Sequence, residues 1–383
     1  MGFPRRRYVQ EGQEGIYHCF SRCVRRAFLY GFDKATGRDF SHRKAWLLSR
    51  LRHLASIFAI DVCAYAIMDN HYHLILRTRP DIAAAWSDHE VAERWLTLYP
   101  HQPISQNDST TQKEIEINAL ADCPERIALL RQRLSNLSWF MGRLNEYIAR
   151  VANKEDKVTG KFWEARFKCR ALLDEAAIAT GMVYVDLNAI RAGRAISPET
   201  SDFTSIQERI RAWQKEQTVA TTDNSESIRQ VQSDINNEAI RTAGITCDNS
   251  DRSNEPLSAI NHSPDDSNPY PSWLCPIHSD NPQKRGIFRM TATEYFEMVD
   301  RSGRMVRSGK RGVIDPELAP ILLRIGITPE AWLDTVTHFG SRFHLAVGLL
   351  SNLRSFADRI GVRWLKGAKT AQAAFTSPLS QSS

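Results

Sequence analysis

The sequence predicts an α+β fold, and three observations predict it. Strand and helix patterns follow one another as β-α-β-β-α-β up to Leu172, a tight hairpin lies at their centre, and helical periodicity returns alone near the C-terminus. The first order is the split βαβ, ferredoxin-like arrangement, an antiparallel sheet with two helices on one face. One added helix follows it, and a small all-helical C-terminal domain lies beyond a polar stretch.

Each element has a local reason. Residues 15–22 form a β-rich run that reads as the first strand. Ser41 stands at a helix-capping position, and Trp46, Leu47, Leu51, Leu54 and Phe58 recur after it at helical spacing. Residues 60–68 and 71–77 are two β-rich runs joined at the turn-forming pair Asp69-Asn70, too close together for anything but antiparallel pairing. A polar, helix-containing insertion occupies about residues 81–123. A long amphipathic helix is then expected over residues 127–152, a fourth strand over residues 162–172, and a last helix from near Asp174 to about Ile190.

The chain has 383 residues, 42% of them hydrophobic, enough for one large or two ordinary domains. The expected division is a first domain over 1–215, an acidic, polar, disordered linker over 216–283, and a helical domain over 284–383. In that last part Thr293, Asp315 and Thr328 stand at cap positions, Pro329 suits a first helical turn, and Phe339, Phe343, Val347 and Leu350 supply an apolar face. No apolar run reaches the length of a membrane span and the Arg-rich start lacks the apolar core of a signal peptide, so a cytoplasmic place is expected. The seven cysteines include no CxxC pair, which argues for reduced thiols. The net charge of +6 permits a polyanionic partner. Because the linker is acidic, positive charge concentrates on either side of it. The cluster Arg301, Arg304, Arg307, Lys310 and Arg311 suits duplex or hairpin DNA, and equally a solubilising or dimer-forming appendage.

Two places carry chemistry. The first is Asn70-His71-Tyr72-His73 at the start of the third strand. Strand side chains alternate, so His71 and His73 project to one side with their Cα atoms roughly 6–7 Å apart, close enough to grip one ion, while Tyr72 faces the other way. Two histidines so spaced are by themselves more often surface residues than ligands. The second place is the segment from Met182 to Asn188, where Tyr184 and Asn188 share a helical face four residues apart. A half-buried tyrosine beside an asparagine at a helix end gives the same pattern.

Met68-Asp69-Asn70-His71-Tyr72-His73-Leu74 resembles the HUH strand of single-tyrosine transposases, particularly the REP-associated tyrosine transposases of bacteria. Phe162-Trp163-Glu164-Ala165-Arg166-Phe167 is similar to that family's Trp-containing segment, and Tyr184-Val185-Asp186-Leu187-Asn188-Ala189-Ile190-Arg191-Ala192-Gly193 to its tyrosine helix, in the same order. The resemblance spans about residues 12–193. Ala189 stands where the family commonly has proline, and Cys23-Val24 where many members have Gly-Asn.

The resemblance implies that His71, His73 and Asn188 hold a divalent metal and that Tyr184 attacks DNA. The expected reaction is strand transfer on single-stranded or hairpin DNA through a 5′-phosphotyrosine, with Mg²⁺ or Mn²⁺ as cofactor. Imidazole ligands favour Mn²⁺, and abundance favours Mg²⁺. Tyr147, with Val151 one turn later, is the nearest alternative nucleophile. Arg22, Arg25, Arg26, Arg166, Lys168 and Arg191 are the candidate phosphate contacts, with Trp163 and Phe167 as candidate stacking residues. Every one of these groups lies before Gly193, so the C-terminal part is expected to add affinity rather than chemistry. A non-cleaving hairpin-binding protein of transposase ancestry, a nuclease using activated water, and a homodimer stay open.

Overall fold

The computed structural model describes residues 4–24, 30–33, 37–99, 109–215, 273–279, 281, 285–308 and 317–376. The chain groups into two compact units, Met1–Gln207 with Trp273–Ser383, and Glu208–Ser272. In the second, the described residues 208–215 are helical. All that follows concerns the first unit.

Its centre is a mixed five-stranded sheet. Strands β1 (Gly15–Arg22), β4 (Ile60–Ile67), β5 (His71–Thr78), β6 (Lys168–Leu172) and β7 (Ala346–Val347) stand in the order β4-β5-β1-β6-β7, and β2 (Phe32–Asp33) pairs with β3 (Arg38–Asp39) apart from them. The β1–β5, β4–β5 and β1–β6 pairs are antiparallel, whereas β7 runs parallel to β6. The first four long strands thus lie in the spatial order second, third, first, fourth. Both faces of β5 are covered, because every residue from Tyr72 to Thr78 is buried.

One face carries α1 (His42–Ile57) and α6 (Leu137–Asp156). Leu47, Leu51 and Leu54 recur at helical spacing and are buried on α1, and Phe140, Leu144 and Ile148 do the same on α6. Ser41 precedes α1 without bonding its backbone; its hydroxyl donates to Asp39 Oδ1 instead, at 2.6 Å. The polar insertion forms α2 (Pro80–Ala85), α3 (Asp88–Leu98) and α4 (Ser109–Ala121). The single helix expected over residues 127–152 is divided into α5 (Pro124–Leu134) and α6, because the Asn136 side chain accepts from the Ser138 and Trp139 amides and starts a new helix. Tyr72 points to this face and donates to Asn145 Oδ1.

The opposite face carries α7 (Glu175–Asp186), whose Asp174 side chain accepts from the Ala177 amide at 3.0 Å. The chain bends at Leu187 and continues as α8 (Asn188–Arg191). The fourth strand is shorter than expected: Lys168–Leu172 pairs with β1, and ahead of it only an isolated antiparallel bridge joins Trp163 to Cys23. Phe162 and Trp163 are spent on packing around Tyr30 and Tyr72, and Trp163 Nε1 donates to the Asn145 carbonyl at 2.9 Å.

The C-terminal part shares this unit rather than standing apart from it. It supplies α9 (Ala292–Ser308), α10 (Leu318–Arg324), α11 (Pro329–Arg342), α12 (Leu350–Ile360) and α13 (Ala368–Ala374), besides β7. Thr291 and Glu294 cap α9 reciprocally, Thr328 and Pro329 open α11, and Asp315 lies outside the described residues. Trp332, Val336 and Phe339 are buried along α11. The end of the expected linker is also packed, for Leu274 bridges to Val62 and the Cys275 amide donates to the Val62 carbonyl. The helix α7 is tied to this part at both ends. Asp174 Oδ2 accepts from the Leu349 amide and Asn352 Nδ2, and the wholly buried Asp186 accepts from Tyr295 Oη and Ser205 Oγ. No helix among the described residues is long and apolar enough to cross a membrane.

Candidate nucleic-acid-processing site

Strand register gathers the site. His73 pairs with Phe20 and His71 with Arg22 across β5 and β1, while Phe20 pairs with Lys168 and His18 with Arg170 across β1 and β6. Directly paired residues share a face. These seven side chains therefore lie on the side that α7 covers, away from Tyr72. All of them except His18 border a cavity of about 640 Å³ whose lining includes Arg22, His71, His73, Lys168, Arg170, Tyr184 and Arg191 and no Asp or Glu.

Tyr184 sits against both histidine rings, with centroids 5.5 Å from His73 and 5.8 Å from His18. The Arg191 guanidinium lies 4.6 Å from the tyrosine ring centre and donates to the Thr337 carbonyl. Phe339 of α11 packs 5.0 Å from the tyrosine ring, and an added Cβ on Gly340 would come within 2.9 Å of the phenolic oxygen. Only 9% of Tyr184 is exposed. Thr337, His338, Gly340, Ser341 and His344 complete the cavity, so its far wall comes from beyond the polar stretch.

The proton positions on the histidines follow from one donor. Arg170 Nη1 stands 3.2 Å from His18 Nδ1, and a guanidinium has only donors to offer, so that nitrogen accepts. Burial pushes the pKa values of His18 and His73 well down, and both rings are neutral at ordinary pH. The single His18 proton is then on Nε2, which donates to His73 Nδ1 at 3.0 Å. His73 in turn carries its proton on Nε2. His71 is the reverse case: its Nδ1 donates to Asn70 Oδ1 at 2.7 Å, leaving a lone pair on Nε2. Burial, and then Arg22, bring the His71 pKa down to about 4.

This arrangement does not fit the metal ligand set expected from the resemblance. His71 offers a lone pair and stands 4.9 Å from His73 between ring centres. His73, however, has its Nδ1 lone pair engaged by His18 and a proton on the other nitrogen. Asn188 is buried outside the cavity lining, and its amide nitrogen approaches the Tyr184 carbonyl at 3.4 Å. Among the described residues, no three His, Cys, Asp or Glu side chains gather as a metal cage.

Of the candidate phosphate contacts, Arg22 and Lys168 line the cavity and, with Arg166, an adjoining smaller one. Arg191 is held over Tyr184. Arg25 and Arg26 lie outside the described residues. Trp163 and Phe167 are not presented for stacking: the first is packed as described, and the second is buried beneath the Arg5 guanidinium, 3.6 Å from its ring centre. Arg301 pairs with Glu317 and Arg304 with Asp300, while Lys310 and Arg311 are outside the described residues, as is the Arg307 side chain. His18 and Arg170 were missed by sequence reasoning. The alternation His18, Phe20, Arg22 in the first strand was the available signal, since it places a histidine and an arginine on the face of the later pair.

No protein-family model matches the chain, and neither does any curated protein. A solved structure of a REP-associated tyrosine transposase bound to a REP hairpin is similar over 55% of this chain and 86% of that one, with a TM-score of 0.29 and 12% identity. The functional reading therefore rests on the site's own geometry.

Proposed function

We propose that the chain is a DNA strand-transfer enzyme of the HUH single-tyrosine kind, acting on single-stranded or hairpin DNA with Tyr184 as nucleophile. The observation that carries this reading is the placement of one tyrosine in a cavity bordered by four cationic side chains and no carboxylate. A phosphodiester is drawn to such a cavity, and guanidinium and ammonium groups stabilise the charge that develops in its transition state. Tyr184 Oη attacks phosphorus and the bond to the 3′ oxygen breaks. The phenolic proton ends on the released 3′ hydroxyl, and the 5′-phosphotyrosine keeps the bond energy for rejoining. His73 Nε2–H suits a non-bridging phosphate oxygen, and the free lone pair on His71 can accept the proton in transit. The resemblance would add Mg²⁺ or Mn²⁺ on His71, His73 and Asn188; because these residues do not fit it as arranged, no step is routed through it.

A second reading has its own support. Phe339 and Gly340 crowd the phenol, which favours a protein that grips DNA without cutting it. One experiment separates the two. Labelled hairpin DNA with unpaired flanks should form an adduct that survives denaturation, and Tyr184→Phe should abolish the adduct while leaving DNA binding intact. Binding without any adduct would favour the non-cleaving protein.

A further inference from the structure

A further cavity, of about 620 Å³, adjoins the Tyr184 cavity, and His344 lines both. Its other walls are Leu345 and the loop from Val362 to Lys366. Trp364 in this loop is 76% exposed, although the neighbouring Leu365 is buried. The loop is fixed from beneath. Gly367 has φ of +110°, and an added Cβ there would come within 2.4 Å of the Phe343 ring at the end of α11. Trp364 is thus presented by an anchored loop, with most of its indole in water.

Charge says what the indole meets. Arg363 and Lys366 flank it, both exposed, and the lining has no Asp or Glu. The cations run on into the Tyr184 cavity: Arg170, Lys366 and Lys168 all act on His344. A cationic track with an aromatic face beside it suits a strand whose bases are unpaired, because phosphates follow the charge and any base can stack.

We propose that the groove from His344 to Trp364 binds unpaired nucleotides that continue the strand held at Tyr184, with Trp364 stacked on one base. The proposal rests on the strand-transfer reading for where the strand begins. Stacking of one base on a tryptophan is of a size that alanine substitution reads as roughly tenfold in affinity.

The test uses the full chain and fluorescent DNA hairpins that are blunt or carry roughly four unpaired nucleotides on the 5′ or the 3′ side. Trp364→Ala should weaken binding about tenfold for one of the two extensions and leave the blunt hairpin unchanged. Trp364→Phe should recover most of the loss, and R363Q with K366Q should flatten the salt dependence for the same extension. Trp364→Ala binding every probe like the wild type would overturn the proposal, as would an equal loss on the blunt hairpin. A wild-type dimer in sedimentation that Trp364→Ala dissolves would also overturn it, assigning the face to a second copy. The adduct assay runs beside these measurements. An adduct with no Trp364 effect rejects the groove and keeps strand transfer, whereas Trp364-dependent binding with no adduct does the opposite.

Discussion

The wall of the Tyr184 cavity that comes from β1, β5 and β6 is held by strand register, whereas the wall that comes from α11 is held by packing on α7. In the first, each side chain is placed by backbone pairing, so Phe20, Lys168, Arg170, His71 and His73 take fixed positions whatever their own partners are. In the second, Phe339 and Gly340 stand where they do because α7 is bolted to the C-terminal part at Asp174 and Asp186. A site can be split this way at no cost to its geometry. Its two walls nonetheless differ in what disturbs them, and Arg170 joins them by donating to His18 on one side and to the Gly340 carbonyl on the other.

The largest effect should follow from removing the packed wall. Sequence reasoning leads one to expect that a chain ending near Lys215 keeps its chemistry. The structure predicts otherwise, because the cut exposes the apolar surface of α7 and leaves the buried Asp186 without Tyr295. Such a chain should show no cooperative thermal unfolding and form no adduct; a folded truncation that cleaves at the full rate would undo the comparison. Tyr295→Phe tests the same wall more gently. It removes one hydrogen bond to a buried carboxylate and should cost about 1.5–3 kcal/mol in denaturant unfolding, whereas a cost near zero would mean that Asp186 does not anchor α7.

Arg170 sharpens the account of the register wall. Arg170→Met frees His18 to take its proton on Nδ1, so that His73 can donate from Nδ1 and offer Nε2 as a ligand. Mn²⁺ binding measured by calorimetry should then tighten about tenfold, or ~1.4 kcal/mol. Unchanged or weaker binding would show that the proton order does not control the ligand set. The smallest effect is that of pH. His18, His71 and His73 have pKa values below the ordinary 6.5, with His71 near 4, so the unfolded chain binds more protons between those limits. Stability should therefore be full above about 6.5 and fall as pH drops towards about 4, and His71→Gln should blunt the fall. Stability that rises on acidification would contradict the neutral cluster.

The hairpin was legible in sequence because alternation and the Asp69-Asn70 turn are local signals: the expected runs 60–68 and 71–77 meet β4 at Ile60–Ile67 and β5 at His71–Thr78. The facing of His71, His73 and Tyr72 followed from the same alternation. Local patterns failed where a side chain made a non-local choice. Asn136 capped a new helix inside an unbroken amphipathic pattern, and the expected fourth strand broke between Trp163 and Lys168, with Phe162 and Trp163 packed on Tyr30 and Tyr72. The bond between His18 and Arg170 spans 152 residues, and the contact of Tyr184 with Phe339 joins parts separated by the whole polar stretch, so no periodicity pointed to either. The apolar face of α11 was visible as a stripe. What it covers was not.

The central claim is that Tyr184, set between the two walls, is the group that takes the phosphate. Its most direct test is to trap the protein–DNA adduct, digest it and map the modified peptide by mass spectrometry. A single phosphotyrosine at Tyr184, lost in Tyr184→Phe, is the predicted result; modification at Tyr147 or at any other residue, or cleavage with no adduct, would contradict it.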